Sequence, residues 1–209
     1  MVLLFNSQKG WRPKQFLQCK SMGSNETENY LITKSEMQPV RYIAWPVIPC
    51  AWAPYILVCP VVKDPKNFAI SDLSYFSNEV AMPYRKAVTE NFGIVACFSP
   101  LFYFERWQVM LPSLEIYRQF GIGRQVYYLQ SIRKEVYDLL MVNVAYVKCL
   151  QPFGMILQAY KRTGAVDIET WANMELGGTY EGSEDPNSEL EWRNQAAAHT
   201  DCYLKYRVR

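Results

Sequence analysis

Histidine is almost missing. His199 is the only one in 209 residues, and none of the six cysteines falls in a C-x-x-C pair. A structural or catalytic zinc needs three or four such ligands, so zinc chemistry is not expected. The same shortage confines acid–base work to carboxylates or to His199 itself. Charge of one sign is also lacking. The net charge is +2 and no run of Lys or Arg exceeds two residues, so the electrostatic footprint of a nucleic-acid binder is not there. Small molecules or proteins are the expected partners.

A helix fit to cross a bilayer is the third lack. Tyr42 to Val62 is uncharged and 21 residues long, the length of a span. Pro46, Pro49, Pro54 and Pro60 interrupt it, and a proline inside a helix costs about 3 kcal/mol. Extended segments are expected there instead. The N-terminus, MVLLFNSQKGW, has four apolar residues after the initiator and no basic leader, which does not make a signal peptide. Asn25-Glu26-Thr27 is a glycosylation acceptor pattern, consistent with a secreted or lumenal domain.

Half of the residues are hydrophobic, and a chain of this size buries roughly 70% of its unfolded surface, so a real core is affordable. Residues 1–40 are polar and read as a loose lead-in. Residues 41–80 alternate prolines with β-branched and aromatic residues, which suits the short strands of an accessory sheet. From residue 81 the pattern changes. GIVACFSP (Gly93 to Pro100) predicts a buried strand, and FERWQVMLPSLEIYRQFG predicts a helix kinked at Pro112 and stopped by Gly121. QVYYLQSI (Gln125 to Ile132) predicts a second strand, RKEVYDLLM a second helix, and AVDIETW (Ala165 to Trp171) a third strand. This order belongs to a parallel α/β sheet, whose ligands bind beyond the carboxyl ends of the strands. Ser99, Gln130 and Ser131 fall at those ends. Ordinary turn chemistry is the competing reading for them.

A last helix follows the loop GGTYEGSEDPNSE. Ser188 and Glu191 form an S-x-x-E capping box, which predicts a start near Glu189. Trp192, Ala196, His199 and Tyr203 share one face, with His199 read as a packed histidine, and Arg193, Ala197 and Asp201 share another. Arg193 and Asn194 lie near the positively polarised end, a suitable place for a phosphate. Asp167 and Glu169 are on one face of the third strand. They read as solvent-side residues of an edge strand rather than as metal ligands. Trp107, Trp171 and Trp192 are expected in the core, Cys97 is expected to be a buried free thiol, and Cys50 and Cys59 could close a disulfide across a short loop.

VACFSPLFYFERWQVMLPSLEIYRQFG, VYYLQSIRKEVYDLL, VDIETW and ELEWRNQAAAHTDCYLKY, in that order, resemble the glycosyltransferase family 92 domain. The resemblance covers roughly Glu79 to Tyr206 and is most specific in RNQAAAHTDC. It implies a GT-A type, Rossmann-like α/β fold and transfer of a hexose, galactose, from a UDP-sugar to a glycan acceptor. It also implies a single N-terminal anchor in the Golgi membrane and a divalent cation, manganese, held by acids of a D-x-D motif. Ser99, Gln130, Ser131, Arg193 and Asn194 become the nucleotide-sugar-binding candidates. Three departures accompany it. No N-terminal helix suits the anchor. The 17 residues from Val142 to Gln158 interrupt the second helix, and two origins fit them: a retained intron, since the segment opens with a GTN codon, or a loop insertion. Transcripts spliced across the segment decide between these. Finally, Arg207-Val208-Arg209 stands where the family has its acidic strand. The expectation is an incomplete GT-A sheet at 81–209, the nucleotide-binding half, with no metal ligands of its own and inactive alone. The alternative is a catalytically dead form that binds a nucleotide sugar or a partner protein.

Overall fold

The computed structural model describes residues 1–8, 17–24, 30–40, 52–72, 78–131, 164–171 and 194–207. The chain forms two units, Met1–Lys86 with Tyr180–Ala197, and Ala87–Thr179 with Ala198–Arg209.

The first unit is antiparallel throughout its described strands. β1 (Val2–Gln8), β5 (Trp52–Val58) and β4 (Glu36–Pro39) form one sheet in the order β1-β5-β4. β3 (Tyr30–Lys34), β2 (Leu17–Met22), β6 (Asn67–Asp72) and β7 (Val80–Ala81) form another, in that order. Residues 1–40 are therefore not a loose lead-in, since they carry four strands. The reason is period two: in Leu17–Met22 only Cys19 and Ser21 are buried, so a half-buried strand can be polar at every other position. Cys19, Leu57, Cys59 and Phe68 make the core, with Leu3 and Phe5 against it. Cys59 is bonded to Cys19, not to Cys50, which lies outside the described residues. The Met1 ammonium donates to the Cys59 carbonyl at 2.7 Å. Trp52–Val58 is a strand, as the prolines required, and no helix among the described residues is long and apolar enough to cross a membrane.

The second unit contains a parallel sheet. β8 (Ile94–Cys97) and β10 (Val166–Thr170) flank β9 (Ile122–Leu129) in the order β10-β9-β8, and both pairings are parallel. α1 (Trp107–Gln119) connects β8 to β9 and runs through Pro112. β9 starts three residues before the predicted Gln125. Gly121, at φ +82°, turns the chain straight out of the helix. Gly123 then lets the strand close against Phe92, whose carbonyl oxygen stands where a Cβ would be.

Side-chain parity along the strands assigns two opposite faces. Tyr127 and Leu129 of β9, Val166 of β10 and the partly buried Phe98 meet Met110 and Leu114 of α1. Val126 and Tyr128, with Val95 and Cys97 of β8, meet Ala198, Cys202 and Tyr206 of α2 (Gln195–Tyr206). A helix thus covers each face of the sheet. On the α1 side the Phe98 and Tyr127 rings stack at 4.4 Å between centroids, and Gln125 is fully buried, donating Nε2–H to the Leu114 carbonyl at 2.9 Å. Burial, aided by the neighbouring Tyr117, pushes the Tyr127 hydroxyl pKa upward.

Candidate functional site

α2 runs antiparallel to β8. His199 meets Ser99 just past the end of the strand, Cys202 is bonded to Cys97 inside it, and the Tyr206 ring meets Phe92 before it begins. Ala198 is fully buried, and its small side chain lets the helix approach closely. The buried face is Ala198, Cys202 and Tyr206, so the predicted aromatic face is displaced: Tyr203 is 62% exposed. Cys97 is not a free thiol. The predicted helix start near Glu189 lies outside the described residues. Asn194 has φ +62°, a left-handed conformation that a right-handed helix cannot run through, and the α-helix begins at Gln195.

Three further ties hold α2. The Tyr128 hydroxyl donates to Asp201 at 2.7 Å. Lys205 donates to Asp167 at 2.7 Å and also to Glu169, and Tyr206 donates to Asp167. Asp167 and Glu169 do share one face, as period two required, but that face is against α2 and not toward solvent. Burial alone would raise the Asp167 pKa. Hydrogen bonds from Lys205 and Tyr206, with the Lys205 and Arg124 charges, outweigh it and hold the carboxyl below its ordinary 3.8. Burial and the Asp167 hydrogen bond push Tyr206 up to about 12. The Lys205 ammonium is disfavoured by burial, yet its two carboxylate partners raise its pKa. A divalent cation does not fit here, because an ammonium and a hydroxyl already fill the space between the carboxylates. Among the described residues no three His, Cys, Asp or Glu side chains converge as a metal would need, and no chemical step is derived through a metal.

The carboxyl end of the sheet is the place where such folds take ligands. Ser99 is there, half-buried, with its Oγ 3.3 Å from His199 Nε2. Gln130 and Ser131 follow β9 directly, and their amides donate to the Leu101 carbonyl at 3.1 Å each. The Ser131 hydroxyl accepts from the Tyr103 amide at 2.8 Å. Trp171, after β10, stands edge-on to Tyr128 at 5.0 Å and is partly buried.

Ser99, Gln130 and Ser131 therefore come together on one edge of one sheet. Asn194 belongs to the first unit. It is only 9% exposed, and its Oδ1 is buried without a hydrogen-bond partner. Arg193, the capping box, Trp192 and the 142–158 insertion lie outside the described residues, as does the Trp107 side chain. Sequence reasoning missed the contact of His199 with Ser99. The signal was present: Cys97-x-Ser99 has strand spacing and His199-x-x-Cys202 has helix spacing, so one disulfide between the elements aligns the other two residues.

Residues 92–209 match the family model Glycosyltransferase family 92. The glycosyltransferase family 92 protein F59C6.8 of Caenorhabditis elegans is 34% identical over 162 residues, which are 76% of this chain and 27% of that protein. Protein F13G3.3 of the same family and organism is 28% identical over 186 residues, 89% of this chain and 32% of that one. The chain thus spans about a third or less of the length of these relatives. No solved structure matches it significantly. With more than half of its length inside the family domain, this chain belongs to glycosyltransferase family 92.

Proposed function

We propose that the second unit is the donor-binding side of a GT-A type hexosyltransferase that transfers galactose from a UDP-sugar to a glycan acceptor. The observation that carries this reading is the carboxyl edge of the β10-β9-β8 sheet, where Ser99 meets His199 of α2 and Gln130 and Ser131 follow β9. Parallel strands covered by helices on both faces bind nucleotides at such an edge. Asn194 and Arg193 keep the expectation of a nucleotide-sugar contact that the sequence resemblance gave them.

Manganese, the cofactor of this reading, would be held by residues other than Asp167 and Glu169, whose carboxylates Lys205 occupies. The alternative reading is a catalytically dead form that holds a nucleotide sugar or a partner protein. Two buried disulfides, one in each unit, support maturation in an oxidising compartment such as the Golgi lumen.

Titration calorimetry of the purified chain with UDP tests the proposal. Micromolar to millimolar binding is expected, weakened in Arg193→Ala and Ser99→Ala. No manganese-dependent release of UDP from UDP-galactose is expected. Lack of UDP binding would overturn the donor-side reading, and turnover by the chain alone would overturn the assignment of it as inactive.

A further inference from the structure

We propose that the outer face of the β3-β2-β6-β7 sheet binds the neutral pyranose units of a glycan. Tyr30 is the surface on which a sugar ring rests, and the Lys20–Glu79 pair is the group that takes its hydroxyls. The proposal rests on the glycan-acceptor part of the reading above and not on the donor edge.

Register separates the two faces of this sheet. Cys19 pairs with Thr33 and Ser21 with Leu31, whereas Lys20 pairs with Ile32 and Met22 with Tyr30. Residues directly opposite in an antiparallel ladder lie on the same face. Cys19 and Phe68 belong to the core of the first unit, so Tyr30, Met22, Ile32 and Lys20 lie on the face away from it. The central row of that outer face runs Ile32, Lys20, Ala69, Ala81, and its two alanines keep one half of the row low.

Folding leaves apolar surface here. Tyr30 is 58% and Ile32 42% exposed, while Leu31 and Thr33 between and beside them are partly buried. Alternate residues of a strand are about 7 Å apart, so the two exposed side chains stand next to each other. Lys20 is opposite Ile32 and diagonal to Tyr30, within the about 7–8 Å that long side chains bridge. Its Nζ donates to Glu79 Oε2 at 3.0 Å, with the side chains 34% and 36% exposed. An ion pair so exposed contributes little to folding. It does set a donor and an acceptor side by side, which is what two adjacent sugar hydroxyls need, and hydrogen bonds to charged groups are the stronger kind.

A pyranose divides in the same way, with C–H groups on its faces and hydroxyls around its rim. The C–H groups suit the electron-rich face of an aromatic ring, and an apolar surface with a few placed polar groups is the usual make-up of a small-ligand site. The Lys20 and Glu79 charges cancel, which favours an uncharged ligand. A stable protein partner would need about 800 Å² of each surface. Two apolar side chains beside the polar row of Lys34, Gln18 and Ser71 do not supply that.

Saturation-transfer NMR titrations of the full chain with lactose and with diacetylchitobiose test this, with sorbitol as a polyol that has no ring. A Kd of about 1 mM is expected for at least one disaccharide, and no binding of sorbitol. Tyr30→Phe is expected to keep the affinity within about twofold and Tyr30→Ala to lower it about tenfold. Lys20→Met is expected to lower it about fivefold. All three should melt with the parent and take up UDP as the parent does. A parent that binds neither disaccharide, or binds sorbitol as well as either, overturns the proposal, as does a Tyr30→Ala protein that binds them undiminished. Unchanged binding in Lys20→Met overturns the role of the ion pair. A parent that binds a disaccharide but no UDP overturns the donor-side reading and leaves this one standing.

Discussion

The two units hold themselves together in opposite ways. The first is antiparallel: strand pairs such as β1 with β5 and β2 with β3 align residue against residue, and its disulfide joins Cys19 of one sheet to Cys59, just beyond a strand of the other. The second is parallel, and its disulfide joins a strand to a helix. In the first, ends of strands are turns. In the second, carboxyl ends of neighbouring strands collect on one edge, so residues far apart in sequence, such as Ser99 and Ser131, reach the same edge of one sheet. In the proposed reading parallel topology creates the donor site, and the long-range ties of α2 hold one wall of it.

Breaking each unit's ties should expose this difference. The largest effect is expected from the disulfides. Cys97 and Cys202 are 105 residues apart and Cys19 and Cys59 are 40 apart. Loop entropy then gives losses of about 5 and about 4 kcal/mol when each pair is replaced by alanine. Urea unfolding of the two double variants should rank them in that order. UDP binding should fall only in the Cys97→Ala, Cys202→Ala protein, and an equal fall in both would contradict the division of labour proposed here.

Next comes Lys205→Met, which leaves Asp167 and Glu169 partly buried and facing one another. A loss of about 3 kcal/mol at pH 7 is expected. The sign with pH follows from the shifts. Asp167 is held below its ordinary value, so its contribution is present above about pH 4 and is lost as pH falls through the depressed value. Lys205 is held above its ordinary value, so its contribution is present at neutral pH and is lost only in strong alkali. The gap between parent and variant should therefore shrink on acidification from pH 6 to pH 2. A gap independent of pH would show that the network contributes packing rather than charge.

Gly123→Ala is expected to cost about 2 kcal/mol, since the new methyl meets the backbone carbonyl of Phe92 rather than a movable side chain. Circular-dichroism melts would register it as an earlier transition. The smallest effect is expected for Lys86→Met in the first unit. Its ion pair with Asp64 at 3.5 Å is mostly exposed on both sides, and such pairs contribute little. A melting temperature indistinguishable from the parent's is expected.

Much of the second unit was legible in the sequence because its signals are local and periodic. Ile94–Cys97 and Val166–Thr170 are apolar or alternating runs bounded by Gly and Pro or Trp, and α1 ends at Gly121 where its pattern stops. Ser99, Gln130 and Ser131 followed from topology alone. What escaped was set by contacts between distant segments. Cys97 looked like a core thiol because nothing near it in sequence reports that Cys202 comes to rest against it. The first forty residues hid their strands in polar composition, and in Tyr30–Lys34 every other residue is exposed.

Strand β9 deserves to be considered as a reading frame. Its even-numbered residues from Val126 serve one helix and its odd-numbered residues from Tyr127 serve the other. Inserting or deleting one residue within Ile122–Leu129 would exchange the two sets at every downstream position. The compact alanine and cysteine surface of α2 would then receive the partners shaped for Met110 and Leu114, and each core would lose its fit together. Point substitutions along this strand are expected to be graded in effect, whereas single-residue length changes are not. Evolutionary change in length near this sheet has an outlet only in the connections between its elements.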